Sequence, residues 1–287
     1  MNFENSPLNK IKREPKLYVD LPSGGNYYAP GLLSKANELA VYSMTARDEM
    51  TANTPDALYT GLASTEILKR CMPDLKNPHL MPMLDVQFCL ASVRLASYGN
   101  KITFNTKCPK CSTESSYELE LQKLIDHFKN IEFKNSVVVD QIEAILRPLT
   151  FKEHSELARR NFIITRQMII QGPKITDEEE KGKVFQDSYD QLAKIRVEAV
   201  SKQIEKIVID GEEETNHNLI VQWLQDNDKE YYKAIEEVII ANQKAMDIPS
   251  MNVECTNEEC KAEFELPMDL DYSNFFVKHL WTPRILS

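Results

Sequence analysis

The sequence predicts an α+β architecture: a small β-rich ribbon with N-terminal helices, carrying a large, mostly helical insertion between two cysteine knuckles. Three observations predict it. Two close cysteine pairs, Cys108/Cys111 and Cys255/Cys260, each sit between runs in which apolar and polar residues alternate. Residues 112–254, which separate the pairs, are dominated by helical periodicity. Ahead of the first pair lie helix start and stop signals, Thr54-Pro55 and Gly99 among them.

Taken in order, residues 1–16 are polar and lack periodicity, which predicts an extended arm. Lys16 to Asp20 alternates through Leu17 and Val19 as a short strand. Pro22-Ser23-Gly24-Gly25 then turns the chain, and Tyr27 and Tyr28 precede a second turn at Pro30-Gly31. Thr45 with Asp48 three residues on is a loose capping box. Thr54-Pro55 opens a helix to about Cys71. A third helix, from about Met83 to Tyr98, repeats Val86, Leu90 and Val93 at helical spacing and stops at Gly99; Cys89 within it reads as a small core hydrophobe.

Lys101 to Thr106 and Tyr117 to Leu121 switch to period two on either side of the first cysteine pair, and Ser136 to Val139 and Ile142 to Leu146 are further β-type runs. Thr150 with Glu153 caps a helix to about Gln171, broken by Gly172-Pro173. Thr176 with Glu179 starts another that passes Ile195, Val197 and Ile204 to about Ile209, before Gly211. Leu219 to Leu224 gives a short helix, and Asp228 caps one that runs to about Met246, ahead of Pro249. Met251 to Glu254 and Glu263 to Leu266 read as strands around the second cysteine pair, and Tyr272 to Leu280 as a last helix.

Composition narrows the chemistry. The 287 residues are 42% hydrophobic and 27% charged, as in soluble globular chains. Only 8 are glycine, and neither a GxGxxG fingerprint nor a phosphate-cradling GxxxxGK[ST] occurs. The net charge of -10 belongs to one half: residues 1–150 hold 17 basic and 17 acidic side chains, residues 151–287 hold 17 and 27. An acidic half repels phosphate backbones, which argues against nucleic acid as a partner. No apolar leader and no 18-residue apolar run is present, so no membrane span is expected and the cysteines should be reduced.

The cysteines carry the strongest chemical signal. Cys108-Pro109-Lys110-Cys111 and Cys255 with Cys260 each lie between two strands, and Tyr117-Glu118-Leu119 after the first pair matches Phe264-Glu265-Leu266 after the second. Two copies of strand, knuckle, strand make a zinc ribbon, in which each hairpin tip gives two thiolates to one tetrahedral ion at about 2.3 Å. Four thiolates leave no open position, so Cys108, Cys111, Cys255 and Cys260 are expected to hold a structural Zn2+. Closing so long a loop removes roughly 4–5 kcal/mol of chain entropy from the unfolded state on the cross-link estimate.

No reaction emerges. The five histidines are scattered, with no HExxH, and no GxSxG elbow occurs. Glu178-Glu179-Glu180 and Glu212-Glu213-Glu214 read as solvated runs at helix edges. Trp223, Tyr231 and Tyr232 read as packing of a helical core in preference to a partner-binding stripe, and Arg47 with Asp48 as a candidate pair or a first-turn charge pattern.

A series of landmarks then resembles a known family. Leu21-Pro22-Ser23-Gly24-Gly25 with Tyr27-Tyr28, Ser43-Met44-Thr45-Ala46-Arg47-Asp48-Glu49, and Ile67-Leu68-Lys69-Arg70-Cys71 come first. Leu84-Asp85, Arg94-Leu95-Ala96-Ser97-Tyr98-Gly99, Cys108-Pro109-Lys110-Cys111 and Leu146-Arg147-Pro148-Leu149-Thr150 follow. Their order resembles the baseplate hub subunit and hub-assembly proteins of T-even-type contractile-tailed phages, over roughly residues 17–150 and the second cysteine pair; the acidic segment 151–249 has no match. The resemblance implies a structural or assembly protein of the phage tail, not an enzyme. It would act by docking to other baseplate and tail proteins in a homo- or hetero-oligomer, without a small-molecule substrate. Its place would be the virion tail and, during assembly, the host cytoplasm.

The expected organisation is a mobile arm (1–16), an α+β domain with the first knuckle (17–150), an acidic helical segment (151–249), and the second knuckle with a C-terminal segment packing back on 100–121 (250–287). Two other classes compete. A zinc-ribbon nucleic-acid-binding or transcription accessory protein should have a basic ribbon, yet Glu254, Glu258, Glu259, Glu263 and Glu265 crowd the second knuckle. A thiol oxidoreductase using Cys108 and Cys111 should have a helix directly after CxxC, and strand-like sequence stands there.

Overall fold

The computed structural model describes residues 10–35, 37–52, 61–171, 175, 177–266 and 268. The residues 1–9, the helix start at Thr54-Pro55, the breaker Gly172-Pro173, the cap at Thr176 and the helix expected over Tyr272 to Leu280 lie outside them. Helices and strands are both present throughout, an α+β protein. The chain forms two compact units. One is built from the described residues of 1–78, 85–129 and 248–287, the other from those of 79–84 and 130–247.

In the first unit, β1 (Leu17–Val19) pairs antiparallel with β2 (Leu39–Val41), Leu17 opposite Val41. Three helices follow: α1 (Ala46–Ala52), α2 (Leu62–Cys71) and α3 (Met83–Tyr98). The box at Thr45 forms: Thr45 N–H and Oγ1 donate to Asp48 Oδ2 at 2.7 Å each. Asp48 is buried, and its ionic partner is Arg70 of α2, not the adjacent Arg47. α3 carries Val86, Phe88, Cys89, Leu90, Ala91 and Val93 fully buried, so apolar residues occupy more than one face and the helix runs through the core. It ends at Gly99, whose φ of +83° is the left-handed cap glycine favours.

After α3, β3 (Lys101–Lys107) and β4 (Glu114–Glu120) form a hairpin of two seven-residue strands, Lys101 opposite Glu120. The run expected to end as strand at Leu121 instead opens α4 (Leu121–Lys129) there. Leu121, Leu124, Ile125 and Phe128 are spaced i, i+3, i+4, i+7 and all buried, and Asn100 receives the Leu121 and Gln122 amides through its C=O and Oδ1 at 2.7 Å. The alternation Tyr117, Leu119, Leu121 masks this stripe in the sequence. The last described pair, β9 (Met251–Glu254) and β10 (Glu263–Leu266), is antiparallel.

The second unit holds a four-stranded antiparallel sheet in the order β5 (Ser136–Val139), β6 (Ile142–Leu146), β7 (Ile204–Ile209) and β8 (Glu212–Glu214). Here the helical expectation is corrected. The helix starting near 178, α6 (Glu178–Ser201), stops at Ser201, and residues 204–209 are a strand, Ile142 opposite Ile209. Ile204 and Ile207 fit a helix face by spacing, but the β-branched run Ile207-Val208-Ile209 and pairing with β6 decide for strand. Asp210 (φ 51°) and Gly211 (φ 86°) form the two-residue turn that returns the chain into β8, so Glu212 to Glu214 are strand and not a helix edge.

The remaining helices are α5 (Phe151–Gln171), α7 (His217–Asp226) and α8 (Lys229–Met246). Ile142, Ala144, Leu146, Ile204 and Ile207 of the sheet pack on Ile220, Leu224, Ile235 and Ile239. Trp223, Tyr231 and Tyr232 pack against this core, as expected. Buried Asn242 of α8 accepts from Lys134 N–H and donates to Lys134 C=O, both at 2.9 Å, satisfying the backbone just before β5. Asn242→Leu should cost about 1–3 kcal/mol by stranding both groups; chemical denaturation reads it.

Thr150 caps α5, with Glu153 accepting from the Thr150 amide and hydroxyl and from both terminal nitrogens of Arg147 (2.8–3.0 Å). Burial alone would raise the Glu153 carboxyl, but Arg147 and Thr150 outweigh it and hold it down to about 2. A depressed acid stabilises the fold above its ordinary range and loses that contribution as pH falls toward 2. The stability gap between wild type and Glu153→Gln should therefore narrow on acidification from about pH 4.5 to 2, which denaturant titrations at stepped pH measure.

Candidate metal centre

The four cysteines of the two knuckles come together in the first unit, as their spacing suggests. Each pair lies at a hairpin tip: Cys108 and Cys111 between β3 and β4, Cys255 and Cys260 between β9 and β10. Both knuckles fold in the same way. In each, the first cysteine's amide is held by a carbonyl across the hairpin, Cys108 N–H to Thr113 C=O and Cys255 N–H to Ala262 C=O, both 2.9 Å. In each, the residue after the second cysteine adopts positive φ, Ser112 at 60° and Lys261 at 41°. The knuckles make this bend without glycine, at a cost of about 1–2 kcal/mol for an L-residue. Ser112→Gly, which relieves it, should leave stability equal or raised, whereas Ser112→Val should lower it; thermal melts of the two variants distinguish these outcomes.

Polar and aromatic contacts tie one hairpin to the other. Ser115 Oγ and Thr256 Oγ1 are 2.6 Å apart, Tyr117 OH donates to Glu254 C=O at 3.0 Å, and Asn257 Nδ2 donates to Thr113 Oγ1 at 3.3 Å. The Tyr117 ring meets Phe264 edge-on at 6.3 Å and Phe104 at 6.2 Å. The matching aromatics of the two copies are thus the packing contact between them.

The four Sγ atoms all lie within 4.8 Å of one another. Cys111 and Cys255 approach to 3.5 Å and Cys108 and Cys260 to 3.9 Å, so the nearest pairs run between knuckles. All are free thiols, well beyond a disulfide bond. A tetrahedral ion with sulfur ligands at about 2.3 Å would need sulfur–sulfur edges near ~3.8 Å, which these separations bracket. Cys108 and Cys255 are buried, Cys260 is half-buried and Cys111 exposed.

The electrostatics fit a cation. Thr113 hydrogen bonds first, then the thiols of Cys255 and Cys260, hold the Cys111 thiol down to about 6. At Cys255 the Asn257 amide works to lower the thiol, but burial and the Cys111 and Cys108 thiols push it up to about 12. Four thiolates held this close together would repel one another, and a cation among them would offset that repulsion. The Lys110 N–H, 3.4 Å from Cys108 Sγ, adds one fixed donor. The four residues could hold a metal ion, and closed tetrahedral sulfur coordination would leave that ion no substrate position.

Cys71 and Cys89 take no part. Both are fully buried, and burial pushes the Cys71 thiol up to about 11 and raises the Cys89 thiol as well. A second polar constellation escapes sequence spacing. Asp85 at the start of α3, fully buried, accepts from Ser23 N–H (2.9 Å), Ser23 Oγ (2.6 Å) and Tyr28 OH (2.9 Å). It thereby pins the Pro22-to-Tyr28 turn across 62 positions of sequence. Two landmarks of the resemblance, the Leu84-Asp85 step and the glycine-pair turn, are one structural device.

Among the described residues, no helix is long and apolar enough to cross a membrane. Compared with known families, residues 15–277 match the one described as T4 bacteriophage base plate protein. No curated protein and no solved structure matches the chain.

Proposed function

We propose a docking role from one premise: the chain belongs to the T4 bacteriophage base plate protein family. Within the base plate its place is the hub, as a hub subunit or a hub-assembly factor that acts by binding other tail proteins and carries out no catalysis. The family match across nearly the whole chain is the observation that carries the base plate reading, and the order of landmarks from Leu21-Pro22 to Leu149-Thr150 supports the hub. Cys108, Cys111, Cys255 and Cys260 bind a structural Zn2+, supported by four sulfurs at tetrahedral-edge separations in two knuckles of like geometry. The ion rigidifies a scaffold whose pieces are far apart in sequence: the first unit's chain departs after Lys129 and returns at Ile248. A reduced CxxC acting alone is disfavoured by two further thiols at its side, and a nucleic-acid-binding ribbon by the carboxylates around the second knuckle.

Phage carrying a nonsense codon in this gene test the assignment. Electron microscopy of lysates should show heads without completed tails and no assembled base plate hub. Morphologically complete, infectious tails would contradict it.

A further inference from the structure

The four-stranded sheet of the second unit ends in two unlike edges. β8 is three residues long and all glutamate, a short charged edge that discourages further pairing. β5 has no such guard. Its residues Ser136 to Val139 carry no charge, and Val138 is 65% exposed, while Val137 packs against the core.

Backbone direction shows what β5 offers. The Asn135 C=O accepts from Leu146 N–H of β6 at 2.7 Å. By antiparallel alternation, residues 135, 137 and 139 turn their N–H and C=O groups toward β6, and 134, 136 and 138 turn theirs outward. Lys134 agrees with this direction, since both of its groups meet the Asn242 side-chain amide at 2.9 Å. Asn242 thus stands in for a neighbouring strand at Lys134. Among the described residues, no hydrogen bond takes up the outward N–H and C=O of Ser136 and Val138.

This edge is complementary to itself. With two copies of β5 set antiparallel about a two-fold axis at Val137, Ser136 stands opposite Val138 of the second copy, and each such pair exchanges both of its backbone hydrogen bonds. In the same register Lys134 faces Asp140 of the second copy, at both ends of the pairing. Both side chains are exposed, and among the described residues neither joins an ion pair. The Asp140 carboxylate meets Tyr231 OH at 3.5 Å. Other axes lose the match: one at Ser136 sets Asp140 against Glu132, and one at Val138 sets Lys134 against Ile142.

The helix above β5 leaves room. α8 runs along the strand from Tyr231, near Asp140, to Asn242 at Lys134. One flank turns to α6, where Glu236 pairs with Arg196. The opposite flank carries Ala234, Ala241 and Ala245, none of them buried and all small enough for the α8 helices of two copies to lie side by side.

We propose that β5 pairs with β5 of a second copy of this chain, joining two four-stranded sheets into one. A pairing this short gives a weak, concentration-dependent dimer. The glutamate-lined β8 then forms both outer edges, so growth stops at two copies. The proposal goes beyond docking to other tail proteins and needs only the chain itself, so either reading can fail alone.

Sedimentation equilibrium of the full chain at low salt, over a rising concentration series, should fit a monomer and a dimer. The Ser136 and Val138 amides should exchange hydrogen more slowly as the dimer fills, which NMR reads. Val138→Pro removes an outward donor and no bond to β6, and should weaken the dimer at least about tenfold. Lys134→Asp and Asp140→Lys should each weaken it as well, because like charges then meet at both ends. Mixed in equal amounts, these two charge variants should pair about as tightly as wild type, a recovery that misfolding cannot produce. A chain that is monomeric at every concentration would overturn the proposal, including one whose β5 edge takes a strand of another protein. So would a dimer indifferent to Val138→Pro, or a mixture of the charge variants that stays monomeric.

Discussion

Cys255→Ser is expected to strip the metal from the protein and to cost several kcal/mol of stability. Cys255 is a buried member of the four-sulfur cluster and comes from the shorter, C-terminal piece of the first unit. That piece otherwise meets the β3–β4 hairpin through a few hydrogen bonds and the Tyr117–Phe264 contact. Each such hydrogen bond contributes about 0.5–1.5 kcal/mol net, and an aromatic pair about 0.5–1.5 kcal/mol. An ion that closes the loop from 112 to 254 contributes roughly 4–5 kcal/mol through chain entropy alone. A metal clasp there would outweigh any single contact around it. Mass spectrometry of metal content should find about one ion per wild-type chain and close to none in the variant. The variant's melting temperature should match that of wild type in excess chelator. Lys110→Ala, in the first knuckle and contributing only its backbone amide to Cys108, should keep both metal and stability.

Asp85→Ala is expected to have the largest effect away from the cysteines, about 3–5 kcal/mol, because it leaves Ser23 and Tyr28 donors without their acceptor in the core. The same carboxyl makes stability depend on pH in a way that can be isolated. Burial raises it from its ordinary range to about 6, against the three hydrogen bonds from Ser23 and Tyr28 that work to lower it. The folded protein therefore holds this proton more tightly than the unfolded chain. Its contribution is full below about pH 4 and is lost as pH rises through about 6. The stability difference between wild type and Asp85→Asn should accordingly fall between those limits and stay level above them. That window barely overlaps the one expected for Glu153, which opens below its ordinary range and has the opposite sign. Denaturant titrations of both variants from pH 2 to 8 separate the two groups. A difference curve for Asp85→Asn that is flat from pH 4 to 7 would contradict this role.

Much of the candidate site was legible because its signals are short-range. A two- or four-residue gap between cysteines, with alternating runs on both sides, specifies a knuckle on a hairpin almost without tertiary information, and β9, β10 and the β3–β4 core appear where that pattern puts them. The β5–β6 hairpin was legible for the same reason, since Val139 and Ile142 face each other across two residues. Residues 204–209 misled because Ile204, Ile207 and Gly211 serve a helix with its terminal glycine as well as a strand with its turn. Only β6, some 60 positions away, removes the ambiguity. The Asp85 staple and the Asp48–Arg70 pair were hidden more completely. A buried carboxylate is specified by its donors, and Ser23, Tyr28 and Arg70 lie too far off in sequence for spacing to name them.

The most direct test of the metal-clasped scaffold is zinc K-edge X-ray absorption on protein purified without added metal. One zinc with a shell of four sulfurs at about 2.3 Å and no nitrogen or oxygen neighbour is the predicted result. Protein that is folded and free of zinc, or zinc bound through nitrogen or oxygen, would contradict it.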